Sequence, residues 1–198
     1  MAALTPRLLR GLSATKANLL GQLGLWCLGG LIVNITLFWE QRPLSSLGLI
    51  RPTWQTFLWG AIIAAGLLYV VSPVGAWLVG WLRLPDFESG LSKLRDIPAS
   101  VLLLGALSAG VVEELLYRGY AIERLSELTG HRVWLGALLS LLSFALAHWP
   151  FWGLGSVVFT FIGGSCLTLL YVWKRDLGAN MLAHTLTAIV QLLAISNT

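Results

Sequence analysis

Six stretches of this chain are apolar for about the length a helix needs to cross a bilayer, roughly 20 residues. In hydrocarbon every backbone N–H and C=O must be satisfied from within the protein, so spanning segments of this kind fold as helices. The first span is Leu19–Trp39, closed by Glu40-Gln-Arg-Pro43. The second, Trp54–Leu82, is too long for one untilted span and contains Pro73. It reads either as one kinked helix or as a helix followed by a second short segment. Ala99 to about Leu128 is the third, with Gly130 placed to cap it. Val133–His148 follows, ended by Pro150, then Phe151–Trp173, a polar turn at Lys174-Arg-Asp176, and Leu177–Ile195. The expected fold is all-α: a polytopic transmembrane helical bundle of about six (six to seven) spans around an enclosed polar site.

Composition agrees. Charged residues make up 11% of the chain and hydrophobic ones 57%, with mean hydropathy +0.78. A soluble domain has about 25% charged residues. Of the ten tryptophans, Trp39, Trp54, Trp81, Trp149, Trp152 and Trp173 fall at expected span ends, where the ring suits the membrane–water interface. The net charge of +4 gives no reason to expect a nucleic-acid partner. Arg7, Arg10 and Lys16 precede the first span without an acid among them, the bias of a cytoplasmic flank. The same basic, acid-free segment, residues 1–18, is also compatible with organellar targeting, whereas a cleaved signal peptide is not expected. Basic residues nearly balance on the two sides, so charge bias assigns no orientation. Arg83–Pro98 is the most polar stretch and reads as an interfacial loop with at most a helical turn. Cys27 and Cys166 lie in apolar runs and read as small core residues rather than metal ligands or a disulfide. No internal repeat is visible.

Four groups of polar residues are out of place on lipid-facing helices. The first is Glu113-Glu114-x-x-x-Arg118. A carboxylate at membrane depth costs a few kcal/mol or more and is a functional-site candidate by default. At about 100° per residue Glu114 and Arg118 share a face and Glu113 points to one side. This predicts a structural ion pair, Glu114–Arg118, and one freer carboxylate, Glu113. Ala106, Ala109 and Gly110 on the Glu113 side permit close approach of another helix. The second group is Phe144-x-x-x-His148, on one face. The third is His184, well inside the last span, with Asn180, Thr185 and Thr187 around it. The fourth, Gln22, Asn34, Ser140 and Ser143, reads as interhelical glue.

Geometry allows the first two groups to meet. Glu113 lies 17 residues before Gly130 and His148 lies 18 after it. At the α-helical rise both stand about 26 Å from that turn. His184 fits less well, being only about 12 Å from the Asp176 turn; a tilted helix or a turn set deeper in the membrane would close the gap. One Glu and two His suit two chemistries. Glu can act as general base on water while His donors stabilise an oxyanion, or the three can hold zinc, which then activates the water. The spacing is not His-Glu-x-x-His, which favours the metal-free route and leaves zinc as the minor alternative.

Glu113-Glu114-Leu-Leu-Tyr-Arg118-Gly119, then Phe144-Ala-Leu-Ala-His148, then His184 resemble the CPBP family. This is the CAAX-protease and bacteriocin-processing (Abi) family of glutamic intramembrane endopeptidases. The resemblance covers roughly Ala99 to Ile195 and divides the chain into residues 1–98, with the first spans and the polar loop, and a CPBP-like core, 99–198. It implies a metal-independent peptidase with no cofactor, in which Glu113 is the base, His148 helps to hold the water and His184 helps to form the oxyanion hole. Glu114 and Arg118 would support the site, with Phe144, Asn180 and Thr187 near it. Many members carry Asn four residues after the last histidine; this chain has Ala188, with Thr187 beside it and Asn180 one turn before His184 on the same face. That departure is the feature favouring the alternative, a non-catalytic CPBP-like membrane scaffold, assembly factor or chaperone with a membrane-protein complex as its partner. The implied setting is an integral multi-pass protein of a bacterial cell membrane, or of an organelle. Its partners would be membrane lipid and a membrane-associated peptide or protein substrate.

Overall fold

The computed structural model describes residues 12–85 and 88–196, the side chains at 88–89 and 194–196 excepted. Arg7, Arg10 and the start of the basic segment lie outside the described residues, as does Asp86 of the polar loop. Among the described residues seven α- or π-helical segments follow one another, with a 3-10 turn at Leu44–Leu47 between the first two: α1 Ala14–Trp39, α2 Trp54–Trp81, a short α3 Glu88–Leu91, α4 Ala99–Leu128, α5 Val133–Trp152, α6 Leu154–Lys174 and α7 Leu177–Ser196. Among the described residues there is no strand. Five helices are long and apolar enough to cross a membrane, and the apolar part of α7, Leu177–Leu193, is a shorter sixth. The chain is an integral membrane protein with an all-α polytopic fold.

Several boundaries differ from the sequence reading. Pro73 neither breaks nor splits the second span. The helix widens into a π turn at Leu67–Val71, and α-helical geometry restarts with Pro73 in its first turn, where a missing N–H costs little. Ser72 donates its hydroxyl to the Leu67 carbonyl at 2.7 Å within that widened turn. Pro150 does not end α5, which runs on to Trp152 and stops at Gly153, φ +90°. The loop before α4 is docked on that end of α5: Lys93 Nζ donates to the Phe151 carbonyl at 2.9 Å and lies over its ring.

Gly130 does cap α4. With φ +73° it permits the left-handed turn in which its own N–H bonds to the Glu127 carbonyl and that of His131 to the Ser126 carbonyl. This is the doubly bonded C-terminal motif that glycine makes accessible.

The glue residues divide. Gln22 donates to the Val101 carbonyl at 3.1 Å and joins α1 to α4, and Ser140 donates to the Tyr117 carbonyl at 2.6 Å and joins α5 to α4. Ser143 bonds back to Leu139 of its own helix and is exposed. Asn34 is exposed in a shallow groove with Leu31, Ile35, Phe38 and Trp39. Neither joins helices, because each faces away from the bundle. Cys27 is likewise exposed rather than core, and Cys166 is partly buried.

One end of the bundle carries an ion-pair network. Arg124 binds Glu40 through Nε at 2.8 Å and also through Nη2, and Tyr120 donates to the same carboxylate at 3.2 Å. The hydrogen bond from Arg124 holds the Glu40 carboxyl below the usual carboxylate range. Arg42 and Arg124 both reach Glu127.

Candidate active site

The acidic pair lies in an unexpected kind of helix. From Ala109 to Ala121 α4 is π-helical, closing on i→i+5 bonds such as Ile122 N–H to the Tyr117 carbonyl. A π turn holds more residues and advances less per residue than an α turn. Residue i+4 still falls beside residue i, so the Glu114–Arg118 pair survives the change. The Ser140 hydroxyl, bonded to that same Tyr117 carbonyl, ties the widened segment to α5.

Glu114 is the hub of a buried polar network. It is 0% exposed and Arg118 1% exposed, and Arg118 Nη1 donates to Glu114 Oε1 at 2.7 Å. From α7, Asn180 Nδ2 donates to Glu114 Oε2 at 3.3 Å and to the Leu167 carbonyl of α6 at 2.7 Å. His184 Nδ1 lies 2.8 Å from Glu114 Oε1. A carboxylate only accepts, so His184 carries a proton on Nδ1 and presents Nε2 away from the pair. Arg118 also donates to the Gly164 carbonyl at 3.3 Å and lies 4.2 Å over the Phe144 ring. The buried guanidinium is thus paired, hydrogen-bonded and stacked, as a charge in low dielectric requires.

Phe144 gathers the rest of the site. His148 stands edge-on to its ring at 4.7 Å, Tyr117 at 4.9 Å and His184 at 6.3 Å. His148 Nδ1 is 2.8 Å from the Phe144 carbonyl. A carbonyl also only accepts, so this nitrogen holds the proton and the neutral ring keeps its lone pair on Nε2.

Glu113 is only half-buried and makes no side-chain hydrogen bond or ion pair among the described residues. It lies within electrostatic reach of Tyr117, four residues on.

The predicted residues therefore fall into four sets, one of which is Glu113 alone, bonded to none of the others. Glu114, Arg118, Asn180 and His184 are joined by hydrogen bonds. Phe144 and His148 meet that network through ring contacts. Thr187 stands apart, its hydroxyl bonded to the Ala183 carbonyl at 2.8 Å. Tyr117 was missed by the sequence reading, although its spacing of four from Glu113 was the available signal. Among the described residues no three His, Cys, Asp or Glu form a group that could hold a metal ion.

His184 reaches the acidic pair despite the expected mismatch in depth. The π-helical stretch shortens the rise between the acidic pair and Gly130. The Asp176 turn, for its part, is packed within the protein. Asp176 is buried, accepts from Thr56 at 2.6 Å, and caps α7 by accepting from the Ala179 N–H at 3.2 Å, while Leu177 N–H bonds to the Gly48 carbonyl.

Close approach of α7 to α4 depends on Gly110. A Cβ built there would stand 2.0 Å from Thr185 Oγ1 and 2.8 Å from the Thr185 Cα and N. Backbone on the far side cannot yield as a side-chain tip would. Gly110→Val is expected to drive the helices apart and cost about 1–3 kcal/mol, the usual range for overpacking. Thermal unfolding in detergent would measure the loss; an unchanged midpoint would show the contact to be looser than described.

These features define a class: a polytopic membrane protein whose spans enclose a glutamate–arginine–histidine network. The family model described as Type II CAAX prenyl endopeptidase Rce1-like matches residues 95–190. Over that segment, just under half of the chain, the sequence is similar to this family of CAAX-protease-type membrane endopeptidases, which the motifs resembled. Neither a curated protein nor a solved structure matches the chain.

Proposed function

We propose that this protein is an intramembrane endopeptidase that hydrolyses a peptide bond of a membrane-associated peptide or protein, using water activated by Glu113. The observation that carries this reading is the unequal state of the acidic pair. Glu114 is spent on Arg118, Asn180 and His184, while Glu113 makes no side-chain bond among the described residues and lies within electrostatic reach of Tyr117.

The chemistry follows from the donor inventory. Glu113 and the lone pair on His148 Nε2 would each accept a hydrogen bond from one water. As the water oxygen attacks the peptide carbonyl carbon, Glu113 takes one of its protons. Charge then builds on the carbonyl oxygen. With Nδ1–H held by Glu114, a doubly protonated His184 would turn Nε2–H to that oxygen, and Glu114 would stabilise the imidazolium. Glu113 returns the proton to the amide nitrogen, the C–N bond breaks, and a carboxylic acid and an amine leave. The route needs no cofactor. The expected setting is a bacterial cell membrane.

A second reading also has an observation behind it. Asn180 and Thr187, the residues named above as standing near the missing asparagine's place, are both committed to structural hydrogen bonds. That favours a non-catalytic scaffold or assembly factor which keeps the network for stability.

One experiment separates these readings. The purified protein would be given a fluorogenic farnesylated peptide ending in a C-a-a-X sequence, chosen because the matched family is named for such substrates. Cleavage is expected to persist after chelator treatment and to fall about 10²-fold or more in His148→Ala. Loss on chelation with recovery on adding zinc would replace the glutamate–water route by a zinc one. Absence of cleavage by the wild-type protein would leave the scaffold reading.

A further inference from the structure

We infer that Tyr117 supplies a second hydrogen-bond donor to the oxyanion formed in this site. The inference rests on the endopeptidase reading above. An oxyanion hole works through preorganised donors aimed at the developing charge, and loss of one costs about 10²–10³ in rate. His184 offers a single N–H, because its other nitrogen is held by Glu114. Most of the polar groups around it are committed, the Thr185 hydroxyl beside Gly110 excepted. Both N–H bonds of Asn180 point to Glu114 and the Leu167 carbonyl, the Thr187 hydroxyl to Ala183, and the Ser140 hydroxyl to Tyr117's own carbonyl.

Tyr117 differs from these. Its ring packs on Phe144, the ring that His148 and His184 also flank. It lies one turn from Glu113 and within electrostatic reach of it. The side chain is partly buried, and its hydroxyl makes no hydrogen bond among the described residues. A phenol is both donor and acceptor, and a partly buried one with no protein partner is free to donate to a substrate. The widened backbone at Ala109–Ala121, anchored by Ser140 at the Tyr117 carbonyl, fixes where the ring stands.

Tyr117→Phe removes one oxygen and leaves the ring contact with Phe144 intact. Wild type, Tyr117→Phe and Glu113→Gln would be compared on the farnesylated C-a-a-X peptide, with thermal unfolding measured in parallel. The inference expects kcat of Tyr117→Phe to fall at least about tenfold, toward 10²-fold, with KM within about twofold and unfolding unchanged, the signature of an interaction made in the transition state. A fall in kcat of less than about tenfold, or a loss confined to KM, overturns it while the endopeptidase reading stands. No cleavage by wild type, or full cleavage by Glu113→Gln, removes that reading and the inference with it.

Discussion

Glu113→Gln is expected to abolish peptide cleavage and to leave the protein as stable as wild type. The amide keeps the size and one acceptor oxygen of the carboxylate but cannot take a proton from water. General-base catalysis contributes about 10²–10⁴-fold, so the residual rate should fall by at least that range. Stability should not follow, because Glu113 is only half-buried and makes no ion pair or side-chain hydrogen bond among the described residues. Nothing is left unsatisfied when its charge goes. Initial rates and unfolding midpoints of the same preparation test both halves. Retained cleavage removes Glu113 as the base, and a large drop in midpoint assigns it a structural role instead.

Glu114→Gln should do the reverse to stability. Arg118, 1% exposed, would lose the only carboxylate it is bonded to while remaining stacked on Phe144 and bonded to Gly164. Removing one partner of a buried ion pair typically costs about 3–5 kcal/mol, because the surviving charge stays desolvated. The loss is compounded by Asn180 and His184, which bind the same carboxylate. The pairing can be isolated by combining the change with Arg118→Met. The double variant should be more stable than the sum of the two single losses implies, since the orphaned charge is gone. Strict additivity in unfolding measurements would show that the two groups are not coupled.

The spans and the i,i+4 pair were legible because they rest on local rules: apolar length and helical periodicity. The inequality of the two glutamates followed from the same wheel. The π-helical form of Ala109–Ala121 was not legible. Its residues carry no proline, its glycines Gly110 and Gly119 do not by themselves signal a widened helix, and the Ser140 hydroxyl of another helix bonds within the segment. The union of Glu114 with Asn180 and His184 was hidden for a related reason. Counted along α7, His184 stood too near the polar turn. That count took Lys174-Arg-Asp176 as lying at the membrane surface, whereas Asp176 is covered by Thr56, more than a hundred residues earlier. Pro150 misled in the opposite sense, whereas Pro73 lies in a single continuous helix, one of the two expected alternatives. Each is a local stop signal, and each lies in a helix that continues past it.

The bond from Thr56 to Asp176 has a consequence for what counts as a unit in this protein. The family model begins at residue 95, so the first two long helices lie outside what it recognises. Yet α2 supplies the hydroxyl that seats the start of α7, and α7 carries His184. Thr56 itself is set by the N-terminal cap of α2, accepting from the Thr53 N–H while it donates to Asp176. The recognisable half holds the groups proposed to react, and the other half helps to seat the helix that carries one of them. Divergence in the first two long helices can therefore retune the site without altering a single motif residue.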